Sequence, residues 1–91
     1  MIADITGTLE EIGDAETVGK YRKIDRRRCV VSTSGGYIPI DFVFEQLPLL
    51  DNWKVGDRVS IACSIESRKW VNPKGITQYF ISLKGHEITK L

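Results

Sequence analysis

Tyr37-Ile-Pro-Ile-Asp-Phe-Val-Phe-Glu45, Gln46-Leu-Pro-Leu-Leu-Asp-Asn-Trp-Lys-Val55 and Arg58-Val-Ser-Ile-Ala-Cys-Ser-Ile65 decide the fold. The first and third segments alternate apolar and polar residues at period two, the mark of a strand with one buried face. In the first, Ile38, Ile40, Phe42 and Phe44 share the face expected to be core. Tyr37, Asp41 and Val43 point the other way, and Pro39 marks an edge or a bend because it cannot donate to a ladder. In the third, Val59, Ile61, Cys63 and Ile65 alternate with Arg58, Ser60, Ala62 and Ser64. The middle segment breaks the period. Leu47, Leu49, Leu50 and Trp53 are apolar, and Pro48 is suited to open a helical turn. Glu45 to Val55 therefore reads as a short helix or compact loop that plugs one end of a sheet, with Val55-Gly-Asp57 as the turn out of it.

The same period extends in both directions. Strand one runs from Ile2 to Ile12, with Ile5, Gly7, Leu9 and Ile12 on one side and Thr6, Thr8 and Glu10 on the other. Strand two runs from about Arg26 to Thr33, and Ser34-Gly-Gly36 supplies the positive φ of a hairpin turn. Strand three covers Tyr37 to Glu45 and strand four Arg58 to about Trp70. Val71-Asn-Pro-Lys-Gly75 is a loop by its turn formers. Strand five runs from about Gln78 to Ile88. Ile81, Leu83 and Gly85 form one of its faces; Phe80, Ser82, Lys84 and His86 form the other. Five strands, a plug between the third and fourth and no room for a crossover helix predict an all-β, five-stranded Greek-key OB-fold barrel. An SH3-like barrel is the rival, but it has no natural place for the plug. A closed barrel also hides the edges that an open five-stranded sheet would expose.

Ninety-one residues with a net charge of +1 are the length of one domain, residues 1–91. No apolar stretch approaches the ~18 residues of a membrane span and no signal-peptide pattern opens the chain, so a cytoplasmic protein with no membrane partner is expected. Cys29 and Cys63 sit in apolar, β-branched runs and read as buried free thiols. No cofactor or metal is expected: there is no C-x-x-C, and the single histidine, His86, is far in sequence from both cysteines. No nucleophile–base pairing is visible. Asp41 and Glu45, four residues apart on one strand, would lie about 13 Å apart, too far for a carboxylate pair. The expectation is a binding protein and not an enzyme.

The net charge conceals a sharp asymmetry. Lys20 to Arg28 carries six basic residues (Lys20, Arg22, Lys23, Arg26, Arg27, Arg28) against one acid, Asp25. The nineteen residues before it carry five acids and no Lys or Arg. In OB-folds the ligand crosses strands two and three, between the loop joining strands one and two and the loop joining strands four and five. Here these loops are about Asp14 to Asp25 and Val71 to Thr77. The basic run lies on the first, and Arg68, Lys69 and Lys74 lie on or beside the second, with Trp70 among them. Basic side chains beside aromatic rings suit single-stranded nucleic acid: charge for phosphates, flat faces for bases. Lys20, Arg22, Lys23, Arg26 and Arg28 are the candidate phosphate contacts, extended by Arg68, Lys69 and Lys74. Tyr21, Tyr37 and Trp70 are the candidate stacking platforms, although Trp70 could equally serve as a lid on the barrel. Phe80 joins them unless a one-residue bulge turns it inward. Trp53 reads as core or plug.

The order of motifs resembles a small family of OB-type proteins of bacteria and their phages, described as a domain of unknown function and grouped with single-stranded DNA-binding proteins. The matching residues are Ile5-Thr-Gly-Thr-Leu9, Cys29-Val-Val-Ser-Thr33, Tyr37, Pro39, Phe44-Glu45, Val55-Gly-Asp57, Ser64-Ile-Glu-Ser-Arg-Lys-Trp70 and Tyr79-Phe-Ile-Ser-Leu-Lys-Gly-His-Glu-Ile88. The resemblance implies single-stranded DNA binding without catalysis or metal, with the basic loop, Arg68 and Trp70 on the DNA. His86 stands where a late tryptophan is expected, and the chain ends at Ile88-Thr-Lys-Leu91 without an acidic recruiting tail. An accessory or phage protein of replication or recombination is therefore expected, acting as a homodimer or cooperative array. RNA is not separated from DNA at this level. The rival function is an OB-fold protein-interaction module, an accessory subunit of a replication or recombination complex.

Overall fold

The computed structural model describes residues 1–91. It contains six strands: β1 (Ile2–Ile12), β2 (Glu16–Val18), β3 (Ile24–Thr33), β4 (Gly36–Val43), β5 (Arg58–Val71) and β6 (Thr77–Lys90). A 3-10 helix, Phe44–Leu50, separates β4 from β5. The sheet order is β1-β5-β6-β4-β3-β2, and an additional β1–β3 pairing closes it. All strand pairs are antiparallel except β4–β6, which meet in parallel at Asp41 and Lys84. With the short β2 set aside, this is the connectivity of an OB fold, with the helix in the expected place.

Closure depends on β1 serving two neighbours. Ile2 to Thr8 pair with β5, and Thr8 to Ile12 pair with β3. The register slips between Leu9 and Glu11, so Glu10 is the extra residue of a bulge, the usual device for redirecting a strand. The Leu9 amide donates to the Asp57 carbonyl and the Gly56 amide to the Leu9 carbonyl. Gly7 makes the approach to β3 possible. A Cβ there would collide with the Ser32 backbone oxygen and the Val31 side chain.

Nine fully buried apolar residues form the core: Leu9, Cys29, Val31, Ile40, Phe42, Leu50, Val59, Ile61 and Cys63. Leu9, Ile40, Phe42, Val59, Ile61 and Cys63 come from faces that the period-two pattern marked, Cys29 and Val31 add the inner face of β3, and Leu50 comes from the plug. Leu50, Leu49 and Trp53 pack the helical segment against this core, as expected of a plug. Both cysteines are free and buried. Gly85 faces the core from β6, where a Cβ would strike the Phe42 ring.

Four expectations need correction. Phe44 does not continue the inward face of β4. It takes a left-handed φ of 54° as the chain turns into the 3-10 helix, and its ring is 56% exposed. Ile81 shares its strand face with Leu83 but is 70% exposed, because the sheet around it has run out of neighbours. The first loop is not uniform: β2 pairs Glu16 with Arg26, Thr17 with Asp25 and Val18 with Ile24, so β3 begins two residues early. Strand three ends at Val43.

The β5–β6 pair outgrows the closed body. Backbone support from β1 ends where the Ile65 amide donates to the Met1 carbonyl. Beyond it, Glu66–Val71 and Thr77–Ser82 pair only with each other. Fourteen residues at about 3.3 Å each span roughly 46 Å, and the molecule's long axis is 45 Å against 29 and 21 Å for the others. The result is a two-stranded arm. No helix is long and apolar enough to cross a membrane.

Two outcomes test this packing. Gly85→Ala overpacks the core against Phe42 at a cost of about 1–3 kcal/mol, read as a fall in Tm of about 4–8 °C per kcal/mol. An unchanged Tm contradicts the close approach. Burial pushes the Cys29 thiol up to about 12, reinforced by the nearby Cys63 and Asp41, and burial pushes Cys63 up to about 11, reinforced by Asp4. The folded state thus holds these thiols protonated while the unfolded chain ionises near the ordinary thiol value of 9.0. The stability involved is whole below pH 9, and it declines as pH rises from there through the folded-state values. Denaturation midpoints measured across that window should fall, and a thiol reagent should label both cysteines only after denaturant is added.

Candidate nucleic-acid interface

Residues of β3, β4 and β6 that alternate away from the core form the outer face of the sheet, and the arm continues it. Antiparallel register sets Arg28 opposite Asp41, Val30 opposite Pro39 and Ser32 opposite Tyr37. On the arm, Glu66 lies opposite Ser82, Arg68 opposite Phe80 and Trp70 opposite Gln78. Where the arm leaves the body, the two surfaces meet in a cleft of about 470 Å³ lined by Arg26, Arg28, Asp41, Glu66, Ser67, Arg68, Phe80, Ser82 and Lys84. A second hollow of about 440 Å³ lies further along the arm, between Arg68, Lys69, Trp70, Gln78 and Phe80.

The cleft is cationic but disciplined by acids. Arg28 makes a two-point contact with Asp41: Nε to Oδ1 at 2.6 Å and Nη2 to Oδ2 at 3.2 Å. Asp41 is 6% exposed, whereas the Arg28 side chain is half-exposed. Hydrogen bonding to Asp41 raises the Arg28 pKa above its ordinary value; burial opposes this, and the charges of Asp41 and Glu16 add to it. The pair occupies Nε and Nη2 and leaves the Nη1 donors of a five-donor fork for a ligand. Arg26 donates to Glu16 of β2 through Nη2 at 2.5 Å and Nε at 3.2 Å. Arg27 points to the other side of β3. It donates to the Gly13 carbonyl at 2.9 Å and to Asp51 at 2.6 Å, tying the β1–β2 connection to the segment after the helix. The run of three arginines therefore splits by strand alternation into two outer residues and one structural clamp.

The structure gathers some of the predicted site residues and separates others. Arg26, Arg28, Arg68 and Phe80 line the first cleft; Arg68, Lys69, Trp70 and Phe80 line the second hollow. Phe80 is not turned inward: its ring is 46% exposed and carries the Arg68 guanidinium 5.6 Å from its centroid. Trp70 is 49% exposed on the arm, which removes it from any role as a lid. Lys20, Tyr21, Arg22 and Lys23 lie in the connection between β2 and β3, outside both hollows. There the Lys20 ammonium sits 5.5 Å from the Tyr21 ring centroid, and Lys23 donates to the Gly19 carbonyl at 3.4 Å. Tyr37 is exposed at the start of β4, and Lys74 sits in the turn at the arm's tip; neither lines either of these two hollows. Sequence reasoning missed Ser67, Ser82, Lys84 and Glu66. The alternation that put Phe80, Ser82 and Lys84 on one face of strand five could have found two of them. His86 exchanges a hydrogen bond with Ser64.

The two outer ion pairs differ in depth, and this has a measurable consequence. Asp41→Asn weakens a charge-assisted contact to a nearly buried carboxylate and should cost about 2 kcal/mol. Glu16→Gln acts on an exposed pair and should cost no more than about 1 kcal/mol. Thermal denaturation of the two variants should show Asp41→Asn as the more damaging; equal effects would contradict the assigned depth of the Arg28–Asp41 contact.

No curated protein matches the chain. Its fold is similar to that of the mitochondrial single-stranded DNA-binding protein Rim1 of S. cerevisiae, with a TM-score of 0.68 and 15% identity over 100% of this chain and 94% of that one. The selenomethionine-labelled crystal of the same protein gives 0.66 and 14%, with the same coverage. At this identity the likeness establishes the OB fold. A family model matches residues 4–89, nearly the whole chain, and the protein belongs to that family, the domain of unknown function DUF3127.

Proposed function

We propose that this protein binds single-stranded DNA in a sequence-tolerant manner along the outer face of β3 and β4 and onto the arm. The observation that carries the reading is the cleft at the root of the arm, where Arg26, Arg28, Arg68 and Lys84 surround an exposed Phe80 ring. Cations track phosphates, and an aromatic face accepts any base, each stacked base contributing about 1–3 kcal/mol. Trp70, with Lys69 beside it, offers the next platform along the arm. Lys20, Arg22, Lys23 and Tyr21 in the β2–β3 connection, Tyr37 on β4 and Lys74 at the tip extend the track at its margins. Similarity to a single-stranded DNA-binding protein in fold supports this direction. RNA shares the same requirements, and competition between the two separates them.

One observation favours a second reading, a protein-interaction module. The opposite face of the arm presents Tyr79, Ile81 and Val71, with Ile76 at the tip, all exposed. Such a face would serve contact with another copy in a dimer or cooperative array, or with a replication or recombination partner. The two readings use different sides of the arm, so substitutions distinguish them.

The test is fluorescence anisotropy with a labelled single-stranded oligonucleotide of mixed sequence, about 30 nucleotides long to exceed the 4–16 that one OB fold covers, with duplex and RNA as competitors. Phe80→Ala should weaken binding by the value of about one stacked base. The Arg26→Ala/Arg28→Ala pair should also lower the slope of log K against log salt by about 1.4, at roughly 0.7 per lost phosphate contact. Circular dichroism checks that each variant is folded. Binding that survives both changes undiminished rejects this site, and absence of binding at low salt rejects the function.

A further inference from the structure

Single-stranded DNA binding leaves Glu66 unaccounted for. The other acid lining the cleft, Asp41, holds Arg28, and Glu16 on β2 holds Arg26. Glu66 lines the same cleft among four cations, yet it makes no ion pair and no side-chain hydrogen bond. Its position is set by register. It lies opposite Ser82, and Phe80 is two residues further along β6 on the same face. Diagonal neighbours of this kind are about 7–8 Å apart. A base stacked on the Phe80 ring, or on the Arg68 plane that the ring carries, bridges that gap and brings its edge to the carboxylate.

A carboxylate only accepts hydrogen bonds. The amino group at N4 of cytosine is a donor suited to it, whereas thymine presents the O4 acceptor at the same place. The carboxylate then faces the lone pairs of another acceptor, with no proton between them, in a cleft where water is partly displaced. Resting on the single-stranded DNA reading, we propose that Glu66 makes the Phe80 cleft selective for an amino-bearing base, taking cytosine in preference to thymine. Binding is then sequence-tolerant along the track and discriminating at this one position. Ser82, which lines the cleft directly opposite Glu66, has a hydroxyl that adapts to either base and leaves the discrimination to Glu66.

The experiment measures Kd for labelled oligo-dC and oligo-dT of about 12 nucleotides, within the span of one fold, at neutral pH and one salt concentration. Wild type and Glu66→Gln are compared. The Gln amide both donates and accepts, so it serves either base. The ratio of Kd for oligo-dT to Kd for oligo-dC should exceed one in the wild type and drop by at least about fivefold in Glu66→Gln, the lower end of discrimination by a base-edge contact. A ratio that the substitution leaves unchanged overturns the inference. So does equal tightening of both oligonucleotides, which would make Glu66 a diffuse moderator of charge. Either result leaves DNA binding standing. Failure of the wild type to bind either oligonucleotide overturns the binding reading itself, and this inference with it.

Discussion

Closure through β1 is the constraint on which the remaining structure depends. A single strand reaches both β5 and β3 only because Gly7 lets two backbones approach and the bulge at Glu10 redirects the chain. Closure places the alternating apolar faces around one enclosed core, so a chain of this length buries nine residues completely. It also orients the outer face. Once β3 and β4 are wrapped, every second residue on them lies on the side away from the core, and Arg26, Arg28 and Asp41 fall there together, with Asp41 covered by its neighbours. The arrival of Asp41 beside Arg26 and Arg28 follows from sheet closure and register, not from proximity in sequence.

The arm exists because closure uses up the neighbours of β5 and β6 before those strands end. An isolated two-stranded ribbon is marginal in water. This one displays Trp70, Tyr79, Phe80 and Ile81 with few apolar contacts to hold them. Such a segment has physical reason to gain order when something covers it. Its two faces differ in chemistry: Arg68, Trp70 and Phe80 on one, Tyr79 and Ile81 on the other. A ligand with phosphates and bases suits the first, and an apolar protein surface suits the second. The fold therefore permits both kinds of contact at once without competition.

Electrostatics at the interface are more restrained than the charge count implies. Each arginine of β3 has an acid at hydrogen-bond distance. A phosphate approaching Arg26 competes with an exposed Glu16, which surface pairs yield at little cost. At Arg28 the case is different, because Asp41 is nearly buried and grips two donors. That contact fixes the guanidinium and leaves an outward donor pair, so Asp41 orients Arg28 more than it blocks it. Near-neutral net charge is thus compatible with an anion-binding surface, provided that the acids sit behind or beside the arginines.

Most of the architecture was legible in residue order. Period-two alternation located the long strands and the core faces, the broken pattern at Leu47 to Trp53 located the plug, and glycine placement located the turns, since each is a local property of the chain. The failures have a common cause. Phe44 and Ile81 fit the alternation perfectly well, but whether an apolar face is buried depends on what packs against it, and only the assembled sheet shows that β4 has ended and that the arm stands alone. Composition likewise revealed a basic run with aromatics nearby, because charge and ring chemistry are written in the residues themselves. Tertiary structure decided which of those charges are shared. It turned Arg27 into a clamp, paired Arg26 and Arg28 with acids distant in sequence, and brought Arg68, Phe80, Lys84 and Glu66 to the same cleft, because cross-strand neighbours are chosen by register and sheet closure rather than by spacing along the chain.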